Sequence, residues 1–271
     1  MQLLRRRPGP PLSDFVDVIW AFEGAQGPHK LERLLPDGST ELVITLDEDA
    51  ARIYHRVEDR VIQTLPGSLV AGPHSQYFVI DTAGQCSTIG IHFKPGGAYP
   101  FLGVPSVELH DSHVALDALW GSFVRELRER VLEACTMTGR LVILEQALLA
   151  RASRPLALHP AVRFALDEFQ TAPHMRTVSA VTEDLGLSPR RFIEVFREQV
   201  GMTPKLFCRV RRFQRAVQSI AAGRKVEWTQ VALESGYFDQ AHFNHDFREF
   251  SGFTPTEYAS RLFRHANHVP L

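Results

Sequence analysis

The sequence predicts an α+β chain in two parts, a strand-rich first half and an all-helical second half. Three observations predict it. Residues 178–255 contain a two-helix unit written twice, a single apolar stripe at helical spacing joins the copies, and residues 15–93 hold short β-branched and aromatic runs separated by Gly and Pro turns.

The second copy, WTQVALESGYFDQAHFNHDFREFSGFTP from Trp228 to Pro255, reads as two short helices joined at a tight corner. Val231, Ala232 and Ser235 give the first helix a small inward face, and Gly236 stands where a helix stops at positive φ. Asp239 is a good N-cap for the second helix. Phe243, Phe247 and Phe250 follow at spacings of four and three and share its buried face. Gln240, Ala241, His242, Asn244 and His245 are left pointing outward. An aromatic back with short polar groups on the exposed N-terminal half is the form of a recognition helix in a helix-turn-helix.

A shift of 51 positions pairs Phe192 with Phe243, Phe196 with Phe247, Arg197 with Arg248, Glu198 with Glu249, Gly201 with Gly252, Thr203 with Thr254 and Pro204 with Pro255. Seven identities at one offset mark a repeat. Gly186 pairs with Gly236 at an offset of 50, so one residue has been gained or lost in the corner. The first copy runs VSAVTEDLGLSPRRFIEVFREQVGMTP from Val178, with Ser188 as N-cap and Pro189 at the first helical position.

Between the copies, Leu206, Val210, Phe213, Val217 and Ile220 form one stripe of a continuous helix from Pro204 to Ala222. Nineteen residues span about 28 Å, close to the roughly 34 Å between successive major-groove faces on one side of B-DNA. Lys205, Arg209, Arg211, Arg212 and Arg215 lie off the stripe, either to meet phosphates or as a solvated basic face.

The order LGLSPRRF, FREQVGMTP, long helix, VALESGYFDQAHFNHDFREFSGFTPTEY resembles the DNA-binding domain of the AraC/XylS family of bacterial transcription regulators, over residues 158–266. The resemblance implies that both second helices, about residues 189–200 and 240–250, enter the major groove. It also implies that Arg190, Arg191 and Glu194 in the first, and Ala241, His242 and His245 in the second, read bases. Glu194 and His245 depart from the family's usual Arg, the common guanine reader. A glutamate there accepts from a cytosine amino group or orients a neighbouring Arg. The partners implied are double-stranded DNA and RNA polymerase.

The strand-rich half, residues 1–110, is expected to form a small β-barrel or sandwich, with strands in FVDVIWAF, LPDGSTELVITLDE, VEDRVIQTL, SLVAG, QYFVIDTAG and CSTIGIHF. PDGSTELVITL and IHFKPGGAYPFLGVP resemble the cupin-like sensor region of a subgroup of AraC-type regulators, which implies an unidentified small-molecule effector. Tyr77, Phe78, His92, Phe93 and Tyr99 are the candidate effector-lining groups, with filling of the core as the alternative. Arg5, Arg6 and Arg7 form either a DNA-touching arm or a solvated tail.

Residues 111–154 read as trailing helices. Leu116, Leu119, Trp120, Phe123, Val124, Leu127 and Val131 form one face, Leu141, Leu144, Leu148 and Leu149 another, with a break near Gly139. They serve either as a buttress or as a homodimer seam. Residues 151–160 are then the domain junction.

A composition of 44% hydrophobic and 23% charged residues places the chain among ordinary soluble globular proteins. Residues 1–154 hold 15 Lys and Arg against 19 Asp and Glu; residues 155–271 hold 15 against 12, which makes the helical half the basic one. Cys86, Cys135 and Cys208 lack CxxC spacing and suit a reducing cytoplasm as small buried residues. No apolar run approaches 18 residues, so neither a membrane span nor secretion is expected. His55, His74, His92, His110 and His113 raise the alternative of a metal-binding cupin-type enzyme or ligand-binding module with a helical interaction domain. No carboxylate joins them at the expected spacing, and no nucleophile elbow, P-loop or GxGxxG is present. No enzyme activity, metal or cofactor is therefore expected.

Overall fold

The computed structural model describes residues 2–24, 31–55, 60–82, 86–171, 178–222, 227–261 and 265–271. Its strand half is two antiparallel sheets. The first holds β1 (Gln2–Arg6), β2 (Val16–Glu23), β4 (Glu41–Thr45), β7 (Ser68–Ala71), β9 (Ser87–Phe93) and β10 (His113–Ala115) in the order β1-β2-β9-β4-β7-β10. The second holds β3 (Leu31–Leu34), β5 (Ala51–Tyr54), β6 (Val61–Leu65), β8 (Phe78–Asp81) and β11 (His268–Pro270) in the order β11-β3-β8-β5-β6. The expected barrel is thus corrected to two sheets without closure: among the described residues no strand of one sheet pairs with a strand of the other. Part of the VEDRVIQTL run, residues 57–59, lies outside the described residues.

Strand β9 sits at the centre of the first sheet, between β2 and β4. Its Gly90 is opposite Trp20, and a Cβ there would come within 2.6 Å of the indole and 2.7 Å of the Leu42 carbonyl. The missing side chain is what lets Trp20 lie across the sheet, where its Nε1 donates to Glu41 at 3.0 Å. Arg5 and Arg6 belong to β1 and Arg6 pairs with Glu145, so the basic run is largely sheet edge rather than free arm or tail.

One face of this sheet carries Ile19, Leu42, Ile44, Ile89, Ile91 and Phe93 into a core completed by α1 (Leu116–Trp120), α2 (Phe123–Glu133) and α3 (Met137–Ala150). Leu116, Trp120, Val124, Leu127, Val131, Leu141, Leu144 and Leu148 all point into it. Most of the two helical stripes is thus covered within the chain, while Leu149 of the second stays exposed. The breaks fall at Gly121, with φ +63°, and at residues 134–136. The second break lies near Gly139 as expected; Gly139 itself is in the first turn of α3, where its N–H donates to the N-cap Thr136 hydroxyl. Cys135 is exposed in the second break and Cys86 is half-buried; only Cys208 is buried, and its thiol is pushed up to about 12 by that burial.

The helical half comprises α4 (Pro160–Thr171), α5 (Val178–Leu185), α6 (Pro189–Val200), α7 (Pro204–Ala221), α8 (Trp228–Glu234), α9 (Gln240–Ser251) and α10 (Pro255–Ala259). Helix α7 is the expected linker, at 18 residues about 27 Å long. Val210, Phe213, Val217 and Ile220 of its stripe are buried, together with Phe207, Cys208, Gln214 and Ala216. The helix is covered on more than one face because both two-helix units and the strand half pack on it. After α10 the chain returns to the strand half: β11 pairs with β3 from His268 opposite Leu34 to Pro270 opposite Glu32, and Val269 is fully buried.

Candidate nucleic-acid interface

Both units are built by the same local rules. In the first, α5 closes on Gly186 at φ +63°, with Gly186 N–H donating to Glu183 and Leu187 N–H to Thr182. In the second, α8 closes on Gly236 at φ +88°, with Gly236 N–H donating to Leu233 and Tyr237 N–H to Ala232. These paired bonds satisfy the last carbonyls of each approach helix. Ser188 then caps α6 by accepting from Arg191 N–H, and Asp239 caps α9 by accepting from His242 N–H at 2.7 Å. Phe192 and Phe196, their counterparts Phe243 and Phe247, and Phe250, which stands where the first unit has Gln199, are fully buried.

The outward residues fall where the sequence places them. Arg190, Arg191 and Glu194 on α6, and Gln240, Ala241, His242, Asn244 and His245 on α9, are all exposed. Their charges are pre-arranged. Glu194 accepts from Arg190 Nε at 3.0 Å and lies 3.7 Å from Arg191, so this glutamate orients two arginines. On α9 the Asp246 carboxylate, only 2% exposed, accepts from Arg209 Nη2 at 2.7 Å and Nε at 3.4 Å. Arg209 Nη2 also donates to Glu249 at 2.7 Å. Those hydrogen bonds, outweighing burial, raise the Arg209 guanidinium above its ordinary value. Arg209 thereby joins α7 to α9. Lys205 is exposed, whereas Arg212 is partly buried with its guanidinium 5.6 Å from the Tyr237 ring. His242 stands edge-on to Tyr237, with ring centres 5.2 Å apart, and Nε2 3.7 Å from Asp246.

A family model for a helix-turn-helix domain matches residues 181–261, which span both corners, α6, α9 and the helix α7 between them. These residues are an AraC-type helix-turn-helix domain. A second model, described as a domain of unknown function (DUF6597), matches residues 4–115. No curated protein matches the chain. Solved structures similar to it include the C-terminal domain of AraT, a response regulator from Geobacillus stearothermophilus, at 22% identity and TM-score 0.36 over 40% of this chain and 95% of that one. A probable AraC family transcriptional regulator from Rhodopseudomonas palustris aligns at 26% identity and TM-score 0.33 over 36% and 94%. Apo ToxT from Vibrio cholerae aligns at 11% identity and TM-score 0.46 over 89% and 96%.

Among the described residues the AraC-type domain meets the strand half behind α6, behind α9 and against α7, and Arg261 bonds the Pro270 carbonyl of β11. Behind α6, Tyr99 donates its hydroxyl to Glu198 at 2.7 Å and Ser106 donates to the Gln199 carbonyl at 2.8 Å. Behind α9, Tyr77 N–H donates to the Phe250 carbonyl at 3.0 Å, and Arg33 donates to the Ser251 carbonyl while its guanidinium lies between the rings of Tyr77 and Phe253. Against α7, the turn at residues 36–38 offers the Pro36 carbonyl to Gln214 at 2.8 Å, and Gly38 packs on Phe207. In that turn Asp37 pairs with His92 at 3.3 Å. Burial alone would raise Asp37 and depress His92, but each charge holds the other: Asp37 sits at about 2 and His92 at about 9.

The five effector candidates are consequently dispersed. Phe93 is core, Phe78 stacks with His74 and His113, and Tyr77, His92 and Tyr99 stand at or beside the contacts with the AraC-type domain. His110 bonds the Pro73 carbonyl through Nδ1. Among the described residues one group brings metal-donor atoms together, His245, Asp246 and Glu249, and Arg209 already engages both of its carboxylates. Sequence reading missed Arg33 and the buried Gln199 and Gln214, whose roles depend on partners far away in the chain. Gln214, polar and next to the apolar stripe of α7, was the available signal.

Two outcomes are expected. Arg209→Ala, by stranding the buried Asp246 carboxylate, should destabilise the protein by about 3–5 kcal/mol, and Arg209→Ala with Asp246→Ala should recover part of the loss in denaturant titration. The raised His92 adds stability that is complete below its unfolded value near 6.5 and lost as pH rises through about 9; the depressed Asp37 adds stability present above about 3.8 and lost as pH falls through about 2. Melting temperature should therefore decline between pH 6.5 and 9, and Asp37→Asn should remove that decline.

Proposed function

We propose that the chain is a sequence-specific transcription regulator in which α6 and α9 read adjacent major grooves and the strand half controls how they are presented. One observation carries this reading: two copies of the same helix expose their polar N-terminal halves while their C-terminal ends are both fixed on the strand half. A single 27 Å helix between them suits the roughly 34 Å groove repeat. Arg190, Arg191 and Glu194 form the first reading set and Gln240, Ala241, His242, Asn244 and His245 the second, with Lys205 and Arg212 toward phosphates.

Control by a small effector is supported by the position of Tyr77 and Tyr99, each of which touches the end of one recognition helix. An effector that binds better to one packing of the strand half would shift the register of both readers together. The work site is the cytoplasm, and no helix among the described residues is long and apolar enough to cross a membrane.

Selection of bound sites from a random DNA pool at stated salt tests the reading. Two short blocks about one helical turn apart are expected, and no enrichment in any effector condition would sink it. On the selected site, His242→Ala should lose roughly tenfold or more in affinity while bulk DNA binding stays constant, since base contacts discriminate. Arg212→Ala should weaken all sequences alike and lower the slope of log K against log salt by about 1.

A further inference from the structure

The two corners differ by one residue, and the structure locates it. Leu187 and Tyr237 occupy equivalent places: each follows the corner glycine, closes the same hydrogen bond to its approach helix, and turns toward the core. In the first unit the next residue is the N-cap Ser188. In the second, Phe238 intervenes between Tyr237 and the N-cap Asp239. Phe238 is 88% exposed, more than any other large hydrophobic side chain among the described residues.

Nothing in the fold accounts for this ring. The corner closes without it, since the first unit makes the same bonds with one residue fewer. The core does not use it, because Tyr237 already fills the inward place and is 3% exposed. An isolated apolar side chain on a surface is ordinary, but here it stands directly before the cap of α9, at the same end as Gln240, Ala241 and His242. A group at that position travels into the groove edge with the helix N-terminus. The major groove presents one apolar feature, the thymine C5-methyl, and an apolar side chain is what distinguishes it.

We propose that Phe238 is a specificity residue of the second unit, whose ring packs on the methyl group of a thymine at the edge of the block read by α9. The inference rests on the DNA-binding reading above and adds to it a base preference that the first unit, lacking the extra residue, does not share.

The test uses the full chain and the site it selects, with each thymine replaced in turn by deoxyuridine, which lacks only the methyl. Wild-type protein is expected to lose about three- to tenfold in affinity at one thymine in the second block, the scale of one buried methyl-sized contact. Phe238→Ser should show that loss on the thymine site and no further loss on the deoxyuridine site, with an unchanged melting temperature. The proposal is overturned if Phe238→Ser binds as wild type with the same deoxyuridine sensitivity, which would point to a protein partner for the ring. It is equally overturned if Phe238→Ser weakens all sequences alike, the mark of a backbone contact. If wild-type protein selects no site at all, the DNA-binding reading fails and this inference with it.

Discussion

Helices α6 and α9 both end on a glycine that must satisfy two conditions at once. Gly201 and Gly252 adopt φ of +90° and +70°, the left-handed turn that stops a helix, and both are pressed against the strand half. A Cβ at Gly201 would overlap Pro73, and one at Gly252 would stand 2.6 Å from the Tyr77 ring. Either condition favours glycine; together they exclude every other residue. The identity of these two positions, 51 residues apart, thus records a shared docking surface as well as a shared helix cap. It is this close approach that fixes the C-terminal ends of α6 and α9 and leaves their N-terminal halves facing away.

The surface between the halves is apolar and polar at once: Leu35, Tyr77, Val79 and Val269 share one core with the helical half, and hydrogen bonds surround it. The carbonyls of Pro36, Gln199, Phe250 and Ser251 each receive a hydrogen bond from the opposite half, and the Asp37–His92 pair stands beside them within the strand half. Hydrogen bonds of this kind contribute about 1 kcal/mol each when made and cost more when a buried partner is stranded.

The helical half was the more legible in the sequence because its determinants are local. Caps at Ser188 and Asp239, stops at Gly186 and Gly236, and phenylalanines at three- and four-residue steps all act within one or two helical turns, so α6 and α9 fall within a residue of expectation. The strand half hides its order because its pairing is non-local. Short apolar runs signal strands but not that β9 inserts between β2 and β4, or that β3 waits for a partner from residues 268–270. The same limit applies to the candidate site. Exposure of the outward residues follows from periodicity, while the engagement of Arg209 with Asp246, 37 positions away, follows only from how α7 crosses α9.

The return of the chain through β11 connects the two halves a second time. The helical half does not hang from the strand half by one linker; it is inserted, entering by residues 151–160 and leaving through a strand that completes the second sheet. Such a body is tethered to the strand half at two points rather than one.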